Sequence, residues 1–167
     1  FYLSTGDPSL ATLVPNRMFK NVNGSRFAEV TASSRTGHLQ KGHGIAIGDY
    51  DRDGDADLFA ELGGAINGDK FHNALFQNPG NSDNNFISLK LIGERTNKAA
   101  IGARIHLTLS GDPPRHIYRH VSSGSSFGAN PLEQHIGLGK ADTVEQIEVT
   151  WPTSKTTQVF RNVQANH

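Results

Sequence analysis

The sequence predicts an all-β protein: partial β-propeller blades followed by a small antiparallel β-sandwich or barrel. Three observations carry this expectation. Eighteen glycines in 167 residues punctuate short segments in which apolar residues alternate with polar ones, the pattern of strands joined by turns. A sequence motif recurs once, 57 residues further on. Five aspartates crowd into one nine-residue run, the kind of loop that joins two strands around a cation.

The repeat organises the first half. NRMFKN at Asn16 to Asn21 and NALFQN at Asn73 to Asn78 share the pattern Asn, any residue, Met or Leu, Phe, any residue, Asn. At the same offset, FYLSTG at Phe1 to Gly6 aligns with LFAELG at Leu58 to Gly63, an apolar strand ending in glycine. Two matches in one register argue against chance. Units of this length bury their apolar faces only against neighbours, as propeller blades do. Residues 1–80 hold about one and a half such units, whereas propellers need four to eight. The expectation is therefore a C-terminal piece of a longer protein, with open strand edges able to pair copies into a homo-oligomer.

The aspartate run is GDYDRDGDADLFA, with Asp49, Asp51, Asp53, Asp55 and Asp57 at alternate positions and Arg52 among them. It carries four net negative charges in a chain that balances 16 Lys plus Arg against 16 Asp plus Glu. Two unit charges about 5 Å apart repel by roughly 3 kcal/mol at an effective dielectric near 20, so a cation is the simplest reason to gather them. Calcium fits best, because it takes six to eight hard oxygen ligands with tolerant geometry. Asp49, Asp51, Asp53 and Asp57 are expected to offer carboxylates and Asp55 its backbone carbonyl, with Gly54 supplying a positive φ at the turn. An EF-hand is excluded: its twelfth loop position needs a bidentate Glu, and that position here is Ala60.

Composition narrows the function classes. The balanced charge gives no basic field for nucleic acid. No apolar run approaches the ~20 residues of a membrane span. The chain has no cysteine, which removes disulfides, thiolate chemistry and cysteine zinc sites. The turn formers of NPGNSDNN from Asn78 to Asn85 mark a domain boundary, giving residues 1–80 and 86–163 as the two domains. Past it, Ile87, Leu89 and Leu91 share one face, as do Ala103, Ile105, Leu107 and Leu109, and Ile147, Val149 and Trp151. Their polar neighbours point the other way, as in an antiparallel sheet with one wet side. A last strand is expected over 156–163.

These motifs carry a resemblance. The segment from Asn16 to Asn78, with RFAEVT and GHGIAIGDYDRDGDADLF between its repeats, resembles the FG-GAP or VCBS repeats of integrin-like propellers. LKLIGERTNKAAIGARIHL, HIGLGKADTVEQIEVTWP and the Ser-Gly-rich stretch between them resemble an ASPIC/UnbV domain. The tandem is similar to the C-terminal part of the cartilage acidic protein-like family. The resemblance implies a calcium-binding blade, with the same five aspartates as ligands, followed by a β-rich module. One departure is visible: the family often closes as WPSG, where this chain reads Trp151, Pro152, Thr153, Ser154.

Other chemistry is less well supported. Gly124, Ser125, Ser126, Phe127, Gly128 match a nucleophile-elbow pattern, but that serine must start a helix, and Gly128 and Pro131 disfavour one. His116 and His120 have helical metal-pair spacing, yet on a strand they stand about 13 Å apart. With Arg115 and Arg119 they form a basic strip that could meet an acidic glycan. His38, His43 and His72 form no catalytic constellation with a nucleophile. Trp151 and Phe160 read as core or sugar-stacking residues, and Asn23, Gly24, Ser25 form a glycosylation sequon.

The sequence thus predicts a non-catalytic, calcium-binding recognition or adhesion module of an extracellular or cell-envelope protein, with a protein or carbohydrate ligand. Millimolar extracellular calcium suits such a loop. The competing class is an enzyme or accessory protein of a biosynthetic pathway, with its site in the C-terminal domain.

Overall fold

The computed structural model describes residues 1–6, 9, 14–64, 67–80, 83–124 and 127–167. Ser125 and Ser126, and with them the serine of the elbow pattern, lie outside the described residues. The described residues form twelve strands and no helix. They gather into two compact units: residues 1–47, 57–77 and 124–129 in the first, and 48–56, 78–123 and 130–167 in the second.

In the first unit, β1 (Tyr2–Leu3), β2 (Arg17–Val22) and β3 (Arg26–Glu29) form one sheet in that order. A second sheet has the order β4 (Gly42–Gly48), β5 (Asp57–Leu62), β6 (Ala74–Phe76). The turn between β2 and β3 needs left-handed backbone at Asn23 (φ 52°) and Gly24 (φ 70°), which these two residue types adopt most readily. The sequon asparagine is therefore exposed at a hairpin tip.

The 57-residue repeat is visible in the backbone pairing. Tyr2 pairs with Met18 and Leu3 with Arg17; 57 residues later, Phe59 pairs with Leu75 and Ala60 with Ala74, also antiparallel. A side-chain hydrogen bond is duplicated too. The backbone N–H of Thr5 donates to Asn16 Oδ1 at 3.0 Å, and that of Leu62 donates to Asn73 Oδ1 at 3.1 Å. Each asparagine opens its copy of the motif, so the motif's first residue is the one that clamps the hairpin. Asn16 is fully buried, and its Oδ1 accepts from both the N–H and the hydroxyl of Thr5, which offsets the cost of removing that oxygen from water. Burial also raises the pKa of the Tyr2 phenol, an effect the neighbouring Asn16 side chain opposes.

The second unit holds a four-stranded sheet in the order β12 (Thr157–Gln164), β11 (Thr143–Thr150), β8 (Arg104–Leu109), β9 (Arg115–His120). A two-stranded sheet pairs β10 (Gln134–Gly139) with β7 (Asn85–Leu89). All its pairings are antiparallel. The inner residues of both sheets, Ile87, Ile136 and Leu138 from one and Ile105, Leu107, Leu109, Val144, Ile147 and Val149 from the other, form a single buried core. The alternation read from the sequence is thus the inside and outside of these strands.

Of the sandwich-or-barrel expectation, the barrel is not found: both sheets stay open. β7 stops at Leu89, one register step short of Leu91, though Leu91 still packs against the core. Trp151 lies just beyond β11, half-buried against the same core, with its Nε1–H donated to Gln158 Oε1 at 2.8 Å.

Candidate metal centre

The aspartate run is the loop from β4 to β5. Left-handed backbone at Arg52 (φ 61°) and Gly54 (φ 97°) turns it sharply. Asp49 organises the turn from its start: its Oδ1 accepts the backbone N–H of Asp53 at 3.1 Å and its Oδ2 that of Gly54 at 3.0 Å. Short carboxylate side chains favour such local bonds to their own backbone.

One carboxylate oxygen from each of Asp49, Asp51 and Asp57 lies within 4.8 Å of the other two. Asp57 is 3% exposed, Asp49 half-buried and Asp51 exposed, so the group runs from the protein interior to solvent. The carboxylates of Asp53 and Asp55 are not part of that group. Asp53 Oδ1 accepts the N–H of Asp55 at 2.9 Å, and both carboxylates stand 3.3 Å from where a Cβ on Gly80 would be.

The donor set fits a hard divalent cation. It is all oxygen and it is anionic. Each pair of charges at this separation repels by roughly 3 kcal/mol at an effective dielectric of 20, a cost that a cation coordinated by Asp49, Asp51 and Asp57 removes.

His135 belongs to this loop and was invisible in the sequence. Its Nε2 lies 2.9 Å from the Gly54 carbonyl oxygen; a carbonyl only accepts, so that nitrogen carries the proton. Its Nδ1 lies 3.2 Å from Ser88 Oγ and 3.9 Å from Asp49 Oδ2, and its ring stacks on Phe86 at 4.9 Å. The imidazole therefore supports the loop's sharpest turn from β10. A separation of 81 residues hides such a contact from any motif.

Gly54 is required twice, by its positive φ and by its neighbour. A Cβ there would stand 2.4 Å from Phe86 Cε1. Gly54→Ala is expected to destabilise the protein by about 2–4 kcal/mol, read from urea unfolding midpoints. Gly137→Ala, where a Cβ meets nothing within 4 Å, is the control and should change stability by under ~0.5 kcal/mol. Equal midpoints for the two variants would refute this account of the turn.

The histidines singled out in the sequence are placed as follows. His38 packs edge-on against Phe71 and His43 against Phe127, and His72 lies exposed between β5 and β6. His116 and His120 both sit on β9, on the strand expected for them. The nearer partner of His116 is across the ladder: its Nδ1 is 3.0 Å from His106 Nε2.

No curated protein matches the chain. The family described as ASPIC and UnbV matches residues 93–167, a span that contains β8 to β12. An ASPIC/UnbV domain therefore forms the C-terminal part of this chain.

Proposed function

We propose that this chain is a non-catalytic recognition or adhesion module of a secreted or cell-surface protein, in which calcium has a structural role. The observation that carries the reading is the convergence of Asp49, Asp51 and Asp57 on one strand-joining loop. Bound calcium would neutralise this loop and hold β4 and β5 in their connection, with no chemistry asked of it. The finer assignment of residues 1–80 to FG-GAP or VCBS propeller repeats is supported by the duplicated hairpin and its asparagine clamp. A modest-affinity acidic loop suits the millimolar calcium outside cells, which is why an extracellular or cell-envelope location belongs to the proposal.

The ligand class proposed is a protein or a carbohydrate. On a glycan and matrix-protein array, calcium-dependent retention that disappears with chelator is the expected result. Substrate turnover in a broad hydrolase screen, with no array binding in either condition, would place the protein in the enzyme class instead.

A further inference from the structure

The four-stranded sheet of the second unit has one dry face and one wet face, and the wet face carries a shallow cavity of ≈ 770 Å³. Register arranges its residues in rows across the strands. Thr157, Thr150, Arg104 and His120 make one row, and Val159, Glu148, His106 and Tyr118 the next. Arg119, on the edge strand β9, pairs with Ile105, so its Cβ starts on the other face of the sheet; its Nη1 donates to the Tyr118 carbonyl at 3.0 Å, and the residue lines the cavity at the sheet's edge.

In the second row the polar atoms satisfy one another. His106 Nδ1 lies 2.7 Å from Glu148 Oε2, and its Nε2 lies 3.0 Å from His116 Nδ1. Its ring stacks on Tyr118, with centroids 4.5 Å apart and planes 2° from parallel. Glu148 is the one carboxylate lining the cavity, and it is already engaged.

In the first row Thr150 Oγ1 and Thr157 Oγ1 share a hydrogen bond at 3.2 Å, and the other two residues stand apart from it. Arg104 and His120 are direct cross-strand partners, a position that brings Cβ atoms to about 4.5–5.5 Å. Neither side chain makes a hydrogen bond or ion pair among the described residues. An anion placed over this row would give Arg104 a partner, and the arginine fork matches the two oxygens of a carboxylate or sulfate group.

We infer that this cavity binds an acidic saccharide, a sugar chain bearing carboxylate or sulfate groups. Arg104 and Arg119 take the acidic groups, the hydroxyls of Thr150 and Thr157 meet sugar hydroxyls, and the Tyr118 ring, 67% exposed, offers an amphipathic wall. The volume falls within the range of small-molecule sites and far exceeds what an inorganic anion fills. This inference rests on the recognition reading and names its ligand.

The test is calorimetric titration of the whole chain, in calcium, with a heparin-derived sulfated octasaccharide, its desulfated counterpart, inorganic sulfate and polyglutamate. The sulfated chain should bind, and the desulfated chain roughly tenfold more weakly, since charge-assisted hydrogen bonds supply the affinity. Arg104→Ala with Arg119→Ala should weaken binding by roughly tenfold or more. Arg26→Ala on β3 should leave it unchanged, and circular-dichroism melting should show all variants folded. Absence of binding, equal binding by the double variant, or binding of inorganic sulfate or polyglutamate as tight as that of the sulfated chain overturns the inference. Calcium-dependent array binding to a neutral ligand would overturn it while leaving the recognition reading in place.

Discussion

Calcium at a hundredfold excess over its dissociation constant is expected to stabilise the protein by ~2.7 kcal/mol. For a chain of this size that raises the melting temperature by roughly 5–10 °C relative to chelator. The stabilisation comes from relief of repulsion among Asp49, Asp51 and Asp57, whose oxygens crowd within 4.8 Å. Magnesium should do less at the same concentration, because it demands near-ideal octahedral geometry and gives up its waters reluctantly. Asp51→Ala is the informative variant. Asp51 is exposed, so its loss leaves packing intact while removing one ligand, and the calcium response should fall away. Asp57 is 3% exposed, so Asp57→Ala would mix ligand loss with a change in the interior. Scanning calorimetry with calcium, magnesium and chelator decides the matter; a melting temperature indifferent to chelation, or a full response in Asp51→Ala, would sink the metal proposal.

A second large effect is expected at Leu107. It is fully buried at the centre of β8, paired with Ile147 on β11 and Ile117 on β9, and so has core neighbours on both sides. Leu107→Ala removes three methyl or methylene groups' worth of packing from a site held rigid by two ladders. The expected loss is about 3–4 kcal/mol, transfer and cavity terms together. Val159→Ala on β12, where the side chain is 46% exposed, should cost less than ~1 kcal/mol. Guanidinium unfolding followed by tryptophan fluorescence reads both. Trp151 is the sole tryptophan and packs against the same core, so it reports on the sheet that the substitution damages. Similar midpoints for the two variants would mean that Leu107 is not at the centre of the fold's stability.

Much of the second unit was legible because its inner strands β8, β10 and β11 each bury one face. Ile105, Leu107, Leu109, Ile147 and Val149 alternate with polar residues, and the structure buries all five. Gly54 was legible for a different reason: a glycine inside an acidic run signals backbone that other residues cannot adopt. The aspartates were legible as a cluster but not as a geometry. Which of them converge depends on local turns, and the bond from Asp55 N–H to Asp53 Oδ1 is one that spacing does not specify. Contacts set by register were hidden altogether. The sequence offered His116 with His120 as the pair to consider, whereas pairing of β8 with β9 sets His116 against His106, and pairing of β8 with β11 sets Glu148 against the same ring. A strand's neighbours are chosen by the fold, so rows across strands appear only once the order β12, β11, β8, β9 is known.

The asparagine clamp has a consequence for how such a hairpin tolerates change. In most hairpins the turn fixes the register, so the turn sequence is held to a few choices. Here Asn16 and Asn73 each grip the backbone 11 residues earlier, and alignment of the strands is enforced by one side-chain amide at the far end of the connection. The intervening segment is released from that duty. Residues 6–15 and 63–72 share almost no sequence, and they need not: copies of this unit can diverge in length and chemistry between the strand and its clamp, while the paired residues stay in step.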